Sequence, residues 1–211
     1  MSTTGRAYGG VPAAQRAAVR RQRLVDAATT LIAEHGTSAL TVHRVCRQAG
    51  LNERYYYESF PGRDDLLVAV AEDAGARLVE ALVAAMASAG PEPSAQATAT
   101  IGAGVDLLVA DPRMTRLLEE SAGHPVLARL RADLTRTLVA LIQERGMSSL
   151  GIEPTPEVER DAAFAATLLL GGLVEVLTSW RAGTLPLTRD EVVARCVETF
   201  LLIGDHAVRE R

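Results

Sequence analysis

The 211-residue chain contains no lysine; all 22 of its basic residues are arginine. Codon usage alone can produce that bias, so it carries no function. Aromatic residues are scarce at 4%, and of the four tyrosines three stand in a row, Tyr55, Tyr56 and Tyr57. There are two cysteines, Cys46 and Cys196. So few, so far apart and set in apolar helical patterns, they make neither a disulfide framework nor a metal-ligand spacing, and no metal is expected. Apolar and polar residues hardly alternate with period two, which leaves no convincing strand and no Gly-rich phosphate loop following one. The histidines, at 35, 43, 124 and 206, pair with no serine, cysteine or ligand spacing that suggests chemistry. An enzyme is therefore not expected, nor a cofactor. The N-terminus lacks the apolar stretch of a signal peptide. The uncharged run from Ala162 to Val174, which no other exceeds, is thirteen residues, short of the roughly 20 that cross a bilayer. The expectation is a soluble cytoplasmic protein with no membrane partner.

Hydrophobic residues make up 48% of the chain. Strong helix formers dominate and favour an all-α fold. The net charge of −4 hides an asymmetry. Residues 1–66 hold nine arginines against six acids, and residues 67–211 hold thirteen against twenty. A basic first third joined to an acidic remainder suggests that one part meets an anion and the other does not.

About nine helices are legible. Residues 1–12 read as a disordered tail. Leu24, Ala27, Ala28, Leu31 and Ile32 mark one face of a first helix ending at Gly36. Thr41 caps a two-turn helix stopped by Gly50, and Asn52 caps the tyrosine helix, which Pro61-Gly62 breaks. A long helix covers 63–88, with Asp64 and Asp65 in its first turn. Residues 90–94 read as a linker. Further helices lie near 95–110, 112–121, 125–145, 156–182 and 189–207. Pro112, Pro125 and Pro156 sit at N1 positions, and Thr188 with Glu191 forms a capping box.

The two short helices cannot stand alone in water. Joined by Gly50-Leu51-Asn52, they have the spacing of a helix-turn-helix, whose second helix enters the major groove. With Asn52 as N-cap, Leu51 and Tyr56 are the partners of a hydrophobic staple. Tyr56 and Phe60 then face inward, Arg54 and Glu58 outward, and Tyr55 and Tyr57 flank the exposed face. Arg54 could pair with guanine and Glu58 accept from cytosine N4. A tyrosine hydroxyl suits a phosphate. The bland alternative is a solvated face with some aromatic packing. Arg16, Arg20, Arg21 and Arg23 before it, and Arg44 and Arg47 on the preceding helix, favour duplex DNA.

Thr37 to Leu67 (TSALTVHRVCRQAGLNERYYYESFPGRDDLL) resembles the DNA-binding domain of TetR-type transcriptional regulators. The shared features are a Gly-Thr turn, the T-V-x-x-I-A-x-x-A-G-V-S pattern, Y-x-x-F, and a basic residue leading into a long fourth helix. The likeness spans roughly residues 16–70, and Trp180 to Gly183 resembles the C-terminal end of many members. It implies that Thr41 and Tyr57 meet phosphates and Arg63 the DNA backbone. Cys46 replaces the usual alanine, which a small buried thiol tolerates. Arg54 and Tyr55 replace a pair that is commonly small, which implies a different operator preference.

The resemblance also implies that residues 63–211 bind a small effector and hold a homodimer together, and that the protein is a repressor more readily than an activator. Two features of the sequence support a dimer independently. Gly171 and Gly172 interrupt a helix at a cost of about 1 kcal/mol each relative to alanine, which a closely packed helix would explain. The last helix reads as apolar nearly all round, through Val193, Cys196, Val197 and Phe200 among others, as if buried on two sides. A buried helix of a monomer is the alternative. A symmetric dimer would set two recognition helices about 34 Å apart and call for a pseudo-palindromic operator. Release then needs no chemistry, only an effector that prefers a different helix spacing, with helix 63–88 as the lever. Met86, Met114, Phe164 and Trp180 are candidates to line an apolar pocket, with Glu120, His124 and Glu175 as polar anchors. Each has a plainer reading: core packing for the methionines and aromatics, a cap-like place before Pro125 for His124. Cys196 as a redox switch is disfavoured, since no neighbouring base lowers its pKa. The rival to a regulator is a helical adaptor whose tyrosine helix binds protein.

Overall fold

A computed structural model describes residues 12–150 and 155–209, with side chains described for 12–145 and 155–203. Among the described residues there are nine α-helices and no strand: α1 (Ala13–His35), α2 (Val42–Ala49), α3 (Glu53–Ser59), α4 (Arg63–Ser88), α5 (Pro93–Ala110), α6 (Pro112–Glu120), α7 (Pro125–Leu150), α8 (Pro156–Arg181) and α9 (Arg189–Arg209). The all-α class is therefore as the sequence indicates. Two boundaries differ most: α7 runs to Leu150, past the expected 145, and α5 starts inside the stretch read as a linker. Pro93 supplies a first helical residue that needs no N–H partner, and the Glu92 carboxylate accepts from Ala95 N at 2.7 Å as its cap.

The chain divides into two compact units, Met1–Val70 and Ala71–Arg211. In the first, α2 and α3 pack on α1. Leu24, Ala28 and Ile32 of α1, Val45 of α2, Tyr56 of α3, Phe60, and Leu66, Leu67 and Val70 of α4 are all buried. The two short helices, α2 and α3, could not persist singly, so the shared apolar core is what makes them helical.

The second unit is built on two pairings, α5 with α9 and α7 with α8. Its core joins Ala97, Val105 and Leu108 of α5 to Leu177 of α8 and to Val192, Val193 and Val197 of α9. Trp180 packs against this cluster and donates its indole N–H to Leu187 O at 2.8 Å. The Thr188–Glu191 capping box closes as its residues require: Thr188 N donates to Glu191 Oε2 at 2.8 Å and Glu191 N to Thr188 Oγ1 at 3.3 Å. Arg113 is buried at 2% exposure, a costly place for a charge unless it is fully paired. It is held by Asp111 Oδ2 at 2.7 Å and by Asp73 Oδ2 of α4 at 2.8 Å.

The reading of α9 as apolar nearly all round needs correction. Val192, Val193, Cys196, Val197 and Phe200 fall on one half of the helix and serve the chain's own core, while Arg195, Glu198 and Thr199 face solvent. Val193 and Val197, expected at an interface between copies, are thus already covered.

Candidate DNA-binding surface

The turn between α2 and α3 is fixed by three local devices. Gly50 adopts the left-handed conformation at φ 61°, which ends α2. Arg23 of α1 donates to Ala49 O at 2.6 Å and so satisfies a carbonyl that the helix end leaves free. Asn52 Oδ1 then accepts from Tyr55 N at 3.2 Å to start α3, as Thr41 Oγ1 accepts from Arg44 N at 3.3 Å to start α2.

These caps set the rotation of α3. Tyr56 is 1% exposed and its hydroxyl donates to Gly62 O at 3.2 Å. Its ring meets those of Tyr57 and Phe60, with centroids 5.5 and 6.1 Å away. Tyr57 is turned out, 58% exposed, and Arg54 is fully on the surface. Tyr55 is half-buried. The rotation of α3 thus buries Tyr56 and leaves Tyr57 on the surface, as their spacing implies, with Tyr55 half-covered between.

The arginines separate into different duties. Arg23 is structural. Arg20 lies 4.4 Å over the Tyr55 ring and 3.5 Å from Glu58 Oε2, and Arg21 lies 4.8 Å over the Phe60 ring. Arg63 donates to Thr37 O at 2.9 Å, tying the start of α4 to the turn before α2. Arg44 is half-buried, whereas Arg16, Arg47 and Thr41 are exposed. Glu58, proposed from sequence as a cytosine acceptor, already accepts from Arg54 Nε at 2.9 Å. Sequence spacing shows that i,i+4 pair but not Arg20, which arrives from α1.

Two of the seven effector candidates share one core cluster. Met114 and Trp180 pack on the core of the second unit, and Met86 is half-buried near the end of α4. Phe164 is 71% exposed on α8, and Glu175, also exposed, accepts from Ser179 Oγ at 3.4 Å. Glu120 and His124 are half-buried at and beyond the end of α6. His124 Nδ1 is buried without a hydrogen-bond partner, and so is Thr100 Oγ1 on α5, a residue the sequence reading missed. Burial pushes the Cys196 thiol pKa up, away from a reactive thiolate.

Gly171 and Gly172 are exposed, and a Cβ added at either would meet nothing within 4 Å. With Phe164 and Leu168, the latter 56% exposed, they form an apolar stripe along α8. Contrary to the reading of its uncharged run, α8 is, by length and composition alone, long and apolar enough to cross a membrane. Its most apolar 18-residue window has a mean hydropathy of 1.7 and is 6% buried within the chain.

The family model for bacterial regulatory proteins of the TetR family matches residues 24–70, the span that holds α2 and α3. The HTH-type transcriptional regulator BetI of Rhizobium meliloti (strain 1021) is 28% identical over 159 residues, covering 72% of this chain and 75% of that protein. The fatty acid degradation regulator FadR from Bacillus halodurans superposes with a TM-score of 0.69 at 22% identity, over 86% of this chain and 94% of its own. RolR, solved in complex with resorcinol, superposes with a TM-score of 0.60 at 23% identity, over 93% and 97%. Residues 24–70 thus match the DNA-binding domain of TetR-family bacterial regulatory proteins, and the helical unit that follows shares the fold of solved TetR-type regulators.

Proposed function

We propose that the protein is a homodimeric repressor that acts in the cytoplasm, binds a pseudo-palindromic operator and is released by a small-molecule effector. The observation that carries this reading is the sorting of α3: Tyr56 is locked into the core while Arg54, Tyr57 and Glu58 stay on the surface. On this reading Arg54 pairs with guanine in the major groove, and Glu58 can accept from a cytosine amine at the same edge. Tyr57 and Thr41 hold phosphates, with Tyr55 at the flank and Arg16, Arg20, Arg44 and Arg63 adding attraction to the backbone.

The α8 stripe supports the dimer, because a soluble protein seldom leaves a large apolar surface uncovered. Buried Thr100 Oγ1 and His124 Nδ1 support an effector that carries polar substituents, since buried polar groups ordinarily have partners. The resorcinol bound to RolR is in keeping with such a molecule. Coupling is supported by α4, one continuous helix whose first turns belong to the first unit and whose remainder belongs to the second.

The test is selection of bound fragments from a random-sequence duplex library by the purified protein. A palindrome should emerge. Arg54→Ala should relax one position in each half-site, at a cost of about 1–3 kcal/mol, and Tyr57→Phe should weaken all sites alike. No enrichment at low salt would leave the adaptor reading in its place.

A further inference from the structure

Two cations and one anion meet at the edge of α3. The Glu58 carboxylate takes Arg54 Nε at 2.9 Å on one oxygen and lies 3.5 Å from Arg20 on the other. Arg20 is steadied from a second side by the Tyr55 ring. The side chains of Glu58 and Arg20 are 40% and 25% exposed, and that of Arg54 is 83% exposed, so the cluster lies on the outer surface. Helix α3 itself carries Glu53, Arg54 and Glu58, a net charge of −1. A net negative helix is a poor instrument for non-specific attraction to a polyanion, which depends on cations reaching phosphates.

We propose that Glu58 is a specificity-determining residue that works by withholding the charge of Arg20 and Arg54 from phosphates. The proposal rests on the reading of α3 as the recognition helix. At an arbitrary sequence, the carboxylate offsets the charge of both arginines even where their free N–H groups reach a phosphate, and it faces the same backbone itself, so that like-charge contact opposes binding. At the operator, a guanine takes Arg54, a donor on a base edge takes Glu58 and a backbone phosphate takes Arg20, so every group finds a new partner. Glu58 thereby weakens wrong complexes more than right ones. Its contribution lies in the difference between two affinities.

The experiment measures binding of mixed-sequence duplex and of the selected operator against salt, for the wild type and for Glu58→Gln. Glutamine keeps the length of the side chain and an acceptor for Arg54 but removes the charge. For each recognition helix, affinity for the mixed duplex should rise on the order of tenfold near 0.1 M salt, with the log–log salt slope steeper by about one. Operator affinity should change less, so the ratio of the two falls. Glu58→Ala, which a surface helix position accepts, carries the same expectation should the glutamine variant fold poorly. Adding Arg20→Met and Arg54→Met to Glu58→Gln should abolish the gain.

An unchanged affinity and slope for the mixed duplex overturns the proposal. So does a gain that survives without the two arginines. Loss of operator binding alone would make Glu58 a plain base contact and overturn it equally. A wild type that binds no duplex at all refutes the underlying reading of α3, a result separable from the others because it precedes any substitution.

Discussion

Tyr56 is the one of three adjacent phenols that water does not reach, and its chemistry shows it. Burial, with smaller contributions from neighbouring groups, pushes its pKa up to about 12, against roughly 10 for an exposed tyrosine. The folded chain keeps this proton where the unfolded chain has lost it. The stabilisation is therefore complete below about pH 10 and is lost as pH rises toward 12. Tyr56→Phe removes the hydrogen bond to Gly62 O and should lower stability by about 1 kcal/mol at pH 8. The gap should close between pH 10 and 12. Urea melts at pH 8 and pH 11.5 would show it, and parallel pH curves for the two proteins would contradict the account.

At the scale of elements, the recognition turn depends on Gly50 more than on any side chain in it. Its φ of 61° disfavours other residues, and a Cβ there would stand 3.2 Å from Arg23 Nη2, the group that caps α2. Gly50→Ala should cost at least about 1 kcal/mol and disturb α3 more than α1, seen as earlier amide exchange in residues 51–59. Retention of full stability would show that the cap is dispensable. The helices and their caps were legible because their signals are local: Thr41, Asn52, and Thr188 with Glu191 each act within three residues. The linker reading of 90–94 failed because Gly90 and Pro91 outweighed Pro93, whose N1 role emerges once Glu92 is seen as a cap. On α9, a count of apolar residues concealed that they share one face. The partnership of Glu58 with Arg20 was not legible at all, since packing of α1 on α3 brings together residues 38 apart in sequence.

For the whole molecule, the apolar stripe of α8 is the surface on which the proposed dimer would rest. If a second copy covers it, Phe164→Glu removes about 1.5–3 kcal/mol of burial from each copy, and two-fold symmetry counts that twice. The dimer dissociation constant should rise roughly hundredfold or more, measured by sedimentation, and binding should become sensitive to the presence of both half-sites. A wild type that sediments as a monomer at micromolar concentration would remove the dimer from the proposal. The order in which the parts can form follows from the pairing of α5 with α9. Arg189 reaches Asp106 across 83 residues, at 2.7 Å to each carboxylate oxygen. During synthesis, α5 leaves the ribosome with its partner still unmade, whereas α1, α2 and α3 have met before residue 71 is added to the core. At about 5–20 residues per second, the last residue of the first unit is synthesised several seconds or more before the second unit can close. On the proposed function, the newborn chain would for that interval own a reading head and lack the unit that answers to an effector.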